Sequence, residues 1–118
     1  MEMELFKPYS LVMKLFFLAK TRIIIIDQYA DNFVLEMLSN IKVPITIYTS
    51  NSSYINKEKK NIKSNITIIN LDIFHDRFII IDDDTYIIGT SLNSIGKKRF
   101  VISKLEDISP DLLLSNIK

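Results

Sequence analysis

Cysteine is absent from the 118 residues. Disulfides, thiolate metal sites and cysteine nucleophiles are therefore excluded, and the usage fits a cytoplasmic protein. Glycine occurs twice and proline three times, which is not the composition of a disordered or low-complexity chain. Histidine occurs once, as His75. An excess of charge of one sign is also missing. Fifteen basic residues face 14 acidic ones, for a net charge of +1. Any attraction to a phosphate must come from local placement of Lys and Arg.

Long hydrophobic runs are missing as well. Leu11 to Leu18 is apolar but interrupted by Lys14, and roughly 20 apolar residues are needed to span a membrane. Glu2 and Glu4 precede this stretch and Lys20-Thr21-Arg22 follows it. That is not the basic start and small-residue cleavage site of a signal peptide. The stretch is expected to be a core-facing helix, in a chain with no membrane span.

What is present is a core. Hydrophobic residues make up 47% of the chain, enough for one domain over residues 1–118. Pro8 suits the first turn of a helix over about 8–20. The run Ile23-Ile24-Ile25-Ile26 predicts a strand over 22–28, buried on both faces. Asp31 or Asn32 caps a second helix, with Phe33, Val34, Met37 and Leu38 inward. A strand follows Pro44 through Ile45, Ile47 and Tyr48. The polar stretch 50–64 is expected to be a solvated helix. Further strands are expected over Ile66–Ile69, Phe78–Ile81, Tyr86–Ile88 and Phe100–Ser103. Ser109-Pro110 reads as an N-cap with proline at the first helical position. Alternating helices and strands give a layered α/β domain, a mixed β-sheet flanked by helices.

The stretch 74–93 carries the chemistry. Asp83-Asp84 lies between two apolar runs, and Asp tolerates turns. A two-residue turn there would pair Asp82 with Thr85, Arg77 with Thr90 and His75 with Leu92. Gly89 and Asn93 would fall at the same end. His75 and Arg77, two residues apart, share one strand face. An imidazole and a guanidinium beside a hydroxyl and an amide suit a phosphate. Asp82 lies roughly 23 Å from His75 along an extended strand, so its role is local, at the turn.

These residues resemble the signature of the phospholipase D superfamily, H-x-K-x4-D-x6-G-S-x-x-N. Here it reads His75-x-Arg77-x4-Asp82-x6-Gly89-Thr90-x-x-Asn93, with Arg77 for the lysine and Thr90 for the serine. Ile26-Asp27-Gln28-Tyr29-Ala30-Asp31, Ile47-Tyr48-Thr49 and Gly96-Lys97-Lys98 resemble one prokaryotic branch, the C-terminal domains of phage-type KilA-N-like regulatory proteins. Members of that branch carry an N-terminal DNA-binding domain for which these 118 residues have no counterpart.

The resemblance implies one phospholipase D-like half-domain over residues 1–118, strongest over 20–105. It implies that His75 attacks phosphorus, that a second histidine protonates the leaving group, and that no metal or cofactor takes part. Arg77, Thr90 and Asn93 would hold the phosphate, supported by Asp82, Gly89 and Ser91. With one histidine per chain, the second would come from a homodimer with His75 near its two-fold axis. The activity this resemblance implies is a metal-independent phosphodiesterase, in the family's terms a nuclease. The alternative follows from Arg77, because a guanidinium is not interchangeable with an ammonium. It is a catalytically degenerate phosphate- or nucleic-acid-binding and dimerisation module.

Plainer readings exist for each residue. His75 also fits a strand-end histidine, Arg77 an ion-pair partner of Asp76, and Thr90 and Asn93 caps after a strand. Lys97-Lys98-Arg99 fits either an electropositive rim or a solvated edge. Asp27, Tyr29 and Asp31 follow a buried strand, where ligands of α/β folds tend to sit. They are candidates for supporting that site. Asp82-Asp83-Asp84 is a turn before it is a metal site.

Overall fold

The computed structural model describes residues 8–52, 64–71, 76–89 and 102–117. Three helices and six strands lie within them: α1 (Pro8–Leu18), β1 (Ile23–Ile26), α2 (Asn32–Met37), β2 (Ile45–Thr49), β3 (Ile66–Asn70), β4 (Arg77–Ile81), β5 (Asp84–Ile88), β6 (Ile102–Leu105) and α3 (Pro110–Ser115). The strands form one mixed sheet in the order β3-β2-β1-β4-β5-β6. β1, β2 and β3 run parallel. β4 runs antiparallel to β1, and β5 and β6 continue antiparallel.

The isoleucine run explains why β1 is central. Successive strand residues point to opposite faces, so an unbroken run must be covered on both sides. Ile23 and Ile25 join Ile45, Ile47, Ile79 and Ile81 in a core covered by α1 and α2 through Val12, Phe16, Val34 and Met37. Ile24 and Ile26 join Phe78 and Ile80 in a second core, covered by Leu113 and Ile117 at the C-terminal helix. Each fully buried isoleucine stabilises the fold by about 1.5–3 kcal/mol relative to exposure.

Helix ends follow local chemistry. The Asp31 carboxylate accepts the Phe33 N–H at 3.0 Å and caps α2. The Ser109 hydroxyl accepts the Leu112 N–H at 3.2 Å, and Pro110 fills the first turn of α3. Both caps agree with the sequence reading. α1 ends at Leu18 rather than 20, and β1 spans Ile23–Ile26 rather than 22–28. β6 spans Ile102–Leu105, sharing Ile102 and Ser103 with the expected Phe100–Ser103 and running two residues beyond it, while Phe100 and Val101 lie outside the described residues. There Ile102 pairs with Ile88 and reaches the first core, while Leu105 pairs with Thr85 and reaches the second. The expected helix over 50–64 falls mostly on residues 53–63, outside the described residues.

The hairpin turn corrects the expected register. Ile81 pairs with Asp84 and Arg77 with Ile88, so the two turn residues are Asp82 and Asp83, not Asp83 and Asp84. Arg77 therefore does not face Thr90, and Asp82 does not pair with Thr85. The deciding residue is Asp82, whose φ of 55° is left-handed. Two-residue hairpin turns require a positive φ at the first central position. Asp82 accepts that conformation because its carboxylate is held from outside the hairpin. Its Oδ1 accepts the Thr21 N–H at 2.7 Å, the Thr21 hydroxyl at 2.8 Å and the Arg22 N–H at 3.2 Å. The Lys20 N–H lies 3.1 and 3.0 Å from the two oxygens. The Arg22 Nε donates to the Asp82 carbonyl at 2.9 Å, and the Asp82 N–H donates to the Arg22 carbonyl at 3.1 Å.

Candidate functional site

The carboxyl ends of the three parallel strands lie along one edge of the sheet, the edge where α/β folds bind ligands. β4 begins at that edge because it runs antiparallel to β1. The last pair of the β1–β4 ladder is Ile26 with Phe78. One step further along each strand stand Asp27 and Arg77. Both continue the series that faces the first core, Ile23-Ile25-Asp27 and Ile81-Ile79-Arg77. Thr49 ends β2 in the same series, after Ile45 and Ile47. Thr49, Asp27 and Arg77 thus occupy equivalent positions on three adjacent strands, spaced about 4.8 Å from strand to strand.

Arg77 is half-buried, and its Nε is buried with no hydrogen-bond partner among the described residues. An unsatisfied buried donor costs about 1–3 kcal/mol, and more on a charged group. A guanidinium placed there is suited to an acceptor that arrives from outside, and its planar fork matches a phosphate or carboxylate.

Asp27 is fully buried, as is Thr49. The Asp27 Oδ1 accepts the Tyr29 N–H at 3.1 Å, and its carbonyl accepts the Ala30 N–H at 3.2 Å. The loop after β2 ties the same turn from the other side. The Thr49 and Ser50 hydroxyls donate to the Gln28 carbonyl at 3.0 and 2.7 Å. The Asn51 amide donates to the Ala30 carbonyl at 2.7 Å. The Ser52 hydroxyl extends the network to Asn70 at 3.1 Å. Sequence reasoning singled out Asp27 and Tyr29 but missed the brace from Thr49, Ser50 and Asn51. Its signal was three consecutive hydroxyl and amide side chains at the end of a buried strand and just beyond it.

Of the sequence-predicted site residues, Arg77, Asp82 and Gly89 are described. Arg77 pairs with Ile88, and the exposed Gly89 follows directly, so these two motif positions share the ligand-side edge. Asp82 is at the opposite end of the sheet, beside the residues that enter β1. There the backbone N–H of Thr21 is the chief group that lowers its pKa from 3.8 to about 2, aided by Lys20, the Thr21 hydroxyl and Arg22 and opposed by partial burial. His75, Thr90, Ser91 and Asn93 lie outside the described residues, as do Lys97, Lys98 and Arg99. Among the described residues, no three His, Cys, Asp or Glu side chains gather as a metal site. Nor is any helix among them long and apolar enough to cross a membrane.

Two apolar hollows lie away from Arg77. One runs along the outer side of α1, by Met13, Phe17 and Leu18. The other, of about 390 Å³, lies on the α3 side of the sheet between Tyr48, Ile69, Asn70 and Leu114. Neither includes the buried polar row at the strand ends.

No protein-family model matches the chain, and no curated protein matches it. Among solved structures, it is similar to TrmBL2, an archaeal chromatin protein whose structure shows a novel mode of DNA binding. The TM-score is 0.53 at 14% identity, over 93% of this chain and 47% of the TrmBL2 chain. At that identity the likeness shows the fold. The chain spans about half the length of its structural neighbour.

Proposed function

We propose that this domain is a phosphate-reading module that binds nucleic acid, the catalytically degenerate alternative raised by the motif. The observation that carries this reading is Arg77. Its Nε is buried without a partner among the described residues, at the edge of the sheet where α/β domains take their ligands. In this reading the guanidinium supplies a fork for a backbone phosphate, and the Gly89-Thr90 step supplies backbone and hydroxyl donors beside it. The DNA binding of TrmBL2, which shares the fold, supports a nucleic-acid ligand over a small metabolite. A place in a phage-related regulatory protein belongs to the same reading.

A second reading keeps the phospholipase D chemistry. The motif spacing favours it, and Arg77 and Gly89 at one strand end are compatible with it. His75 of one chain would form the phosphohistidine, and His75 of its partner would protonate the leaving oxygen. This requires an isologous homodimer. The lysine-to-arginine exchange places it second.

The test is nucleic-acid binding measured over a range of salt, for wild type and Arg77→Ala. Binding in wild type that weakens with salt and is lost in the variant is the expected result. Equal binding by both proteins at every salt concentration would remove Arg77 from the site.

A further inference from the structure

We propose that Tyr29 is a stacking platform for a base, which makes single-stranded nucleic acid the ligand class of the Arg77 edge. This deepens the phosphate-reading proposal and rests on it. Tyr29 is 51% exposed, large and aromatic, and stands two residues beyond Asp27, the residue beside Arg77 in the β1–β4 register. Exposed aromatics occur singly on many surfaces without meaning. Tyr29 differs in how its backbone is held.

The turn that carries it is braced from within and from β2. Asp27 accepts the Tyr29 N–H through a buried carboxylate. The carbonyl before Tyr29 receives two hydroxyls, from Thr49 and Ser50. The peptide group after it is held through the Ala30 N–H, which donates to the Asp27 carbonyl at 3.2 Å, and the Ala30 carbonyl beyond receives the Asn51 amide. Both peptide groups that flank the Tyr29 ring are thereby fixed to the strand ends. An exposed ring on a rigid support loses little freedom when a planar ligand covers it. Bases stack on such rings whatever their sequence, because every base has a π-face.

A stacked base needs its backbone phosphate held nearby, and the Arg77 guanidinium occupies the adjacent strand at the same edge. Base pairs inside a duplex do not expose their faces, so this pairing of ring and guanidinium selects unpaired strands. DNA and RNA both offer it.

Binding of labelled short deoxythymidine and uridine homopolymers should be compared with an abasic strand of equal length and with a duplex. The proteins are wild type, Tyr29→Ala, Tyr29→Phe and Arg77→Ala. Tyr29→Ala should weaken the base-bearing strands about 5-fold to 100-fold, the range for one lost stack. It should leave the abasic strand unchanged. Tyr29→Phe keeps the ring and should bind like wild type. Arg77→Ala should weaken every strand. A preference between the two homopolymers assigns DNA or RNA. Equal binding of base-bearing strands by wild type and Tyr29→Ala overturns the stacking role. So does an equal loss in Tyr29→Phe, or an equal loss on the abasic strand. Binding that falls in Tyr29→Ala but survives Arg77→Ala supports the stacking and overturns the phosphate site at Arg77. No strand bound by wild type overturns both.

Discussion

The Asp82 carboxylate holds Thr21 by its backbone N–H at 2.7 Å and its hydroxyl at 2.8 Å, across 61 residues of sequence. This contact fixes the hairpin tip to the chain entering β1. It sits at the far end of β4 from Arg77, so the acidic position of the motif serves the fold. Asp82→Asn keeps the shape but loses the charge that these donors favour. It should lower stability at neutral pH by about 1–2 kcal/mol after allowance for solvent screening. The pH dependence has a defined sign. The folded pKa of about 2 is below the ordinary 3.8, so the contribution is complete above 3.8. It disappears as pH falls toward 2. Urea unfolding of both proteins at pH 7 and near pH 2 checks this: the difference should be clear at the first and shrink at the second.

The elements were legible where local chemistry decides them. An unbroken Ile23–Ile26 run can only be a strand with two covered faces, and Asp31 and Ser109 cap their helices through their own neighbours. The hairpin register was not legible to the residue. Asp82, Asp83 and Asp84 all tolerate a turn, and the choice among them is made by Lys20, Thr21 and Arg22, some 60 residues away. The candidate site was legible in part for the same reason. Arg77 and Gly89 were expected at one strand end from spacing alone. The brace beneath Tyr29 depends on β1 and β2 being parallel neighbours, which no local pattern states.

Ile25 and Ile79 are paired across β1 and β4, and both are fully buried. Ile79→Ala should cost about 2–5 kcal/mol, and Ile79→Val about 0.5–1.5 kcal/mol. Ile69, on the edge strand β3, is 40% exposed. Ile69→Ala should cost less than Ile79→Ala. Chemical denaturation of the three variants measures this, and an equal cost at positions 69 and 79 would contradict the sheet order.

The homodimer of the second reading makes a covalent prediction. The chain has no cysteine, so His75→Cys introduces the sole thiol. Two cysteines near a two-fold axis can form a disulfide only if their Cα atoms come within about 7 Å. Histidines that flank one phosphorus hold their Cα atoms farther apart than that, so a short bis-maleimide, rather than oxidation, should cross-link the variant into a dimer on a denaturing gel. Ser39→Cys, at an exposed site after α2, is the control and should not. A His75→Cys protein that the reagent leaves monomeric, and that also sediments as a monomer, removes the paired-histidine mechanism while leaving the binding proposal intact.

Arg77 separates the reader from the enzyme. Its fork binds a phosphate whether or not bond cleavage follows, and each charge-assisted hydrogen bond is worth roughly 1.5–3 kcal/mol. Arg77→Ala should therefore weaken binding of sulfate, phosphate or a nucleic-acid strand by about tenfold or more. Arg77→Lys keeps the charge and restores the residue that the resembling superfamily uses. If arginine blocks only the geometry of attack, Arg77→Lys should hydrolyse an activated phosphodiester faster than wild type, with chelator present and with complete dependence on His75. The proposed function expects a different result: wild type and Arg77→Lys both bind, neither hydrolyses, and His75→Ala changes affinity without changing turnover. Turnover in wild type that vanishes in His75→Ala would transfer the assignment to the phosphodiesterase. The assay has to carry all four proteins together, because binding loss in Arg77→Ala alone fits either outcome, whereas turnover measured beside it fits only one.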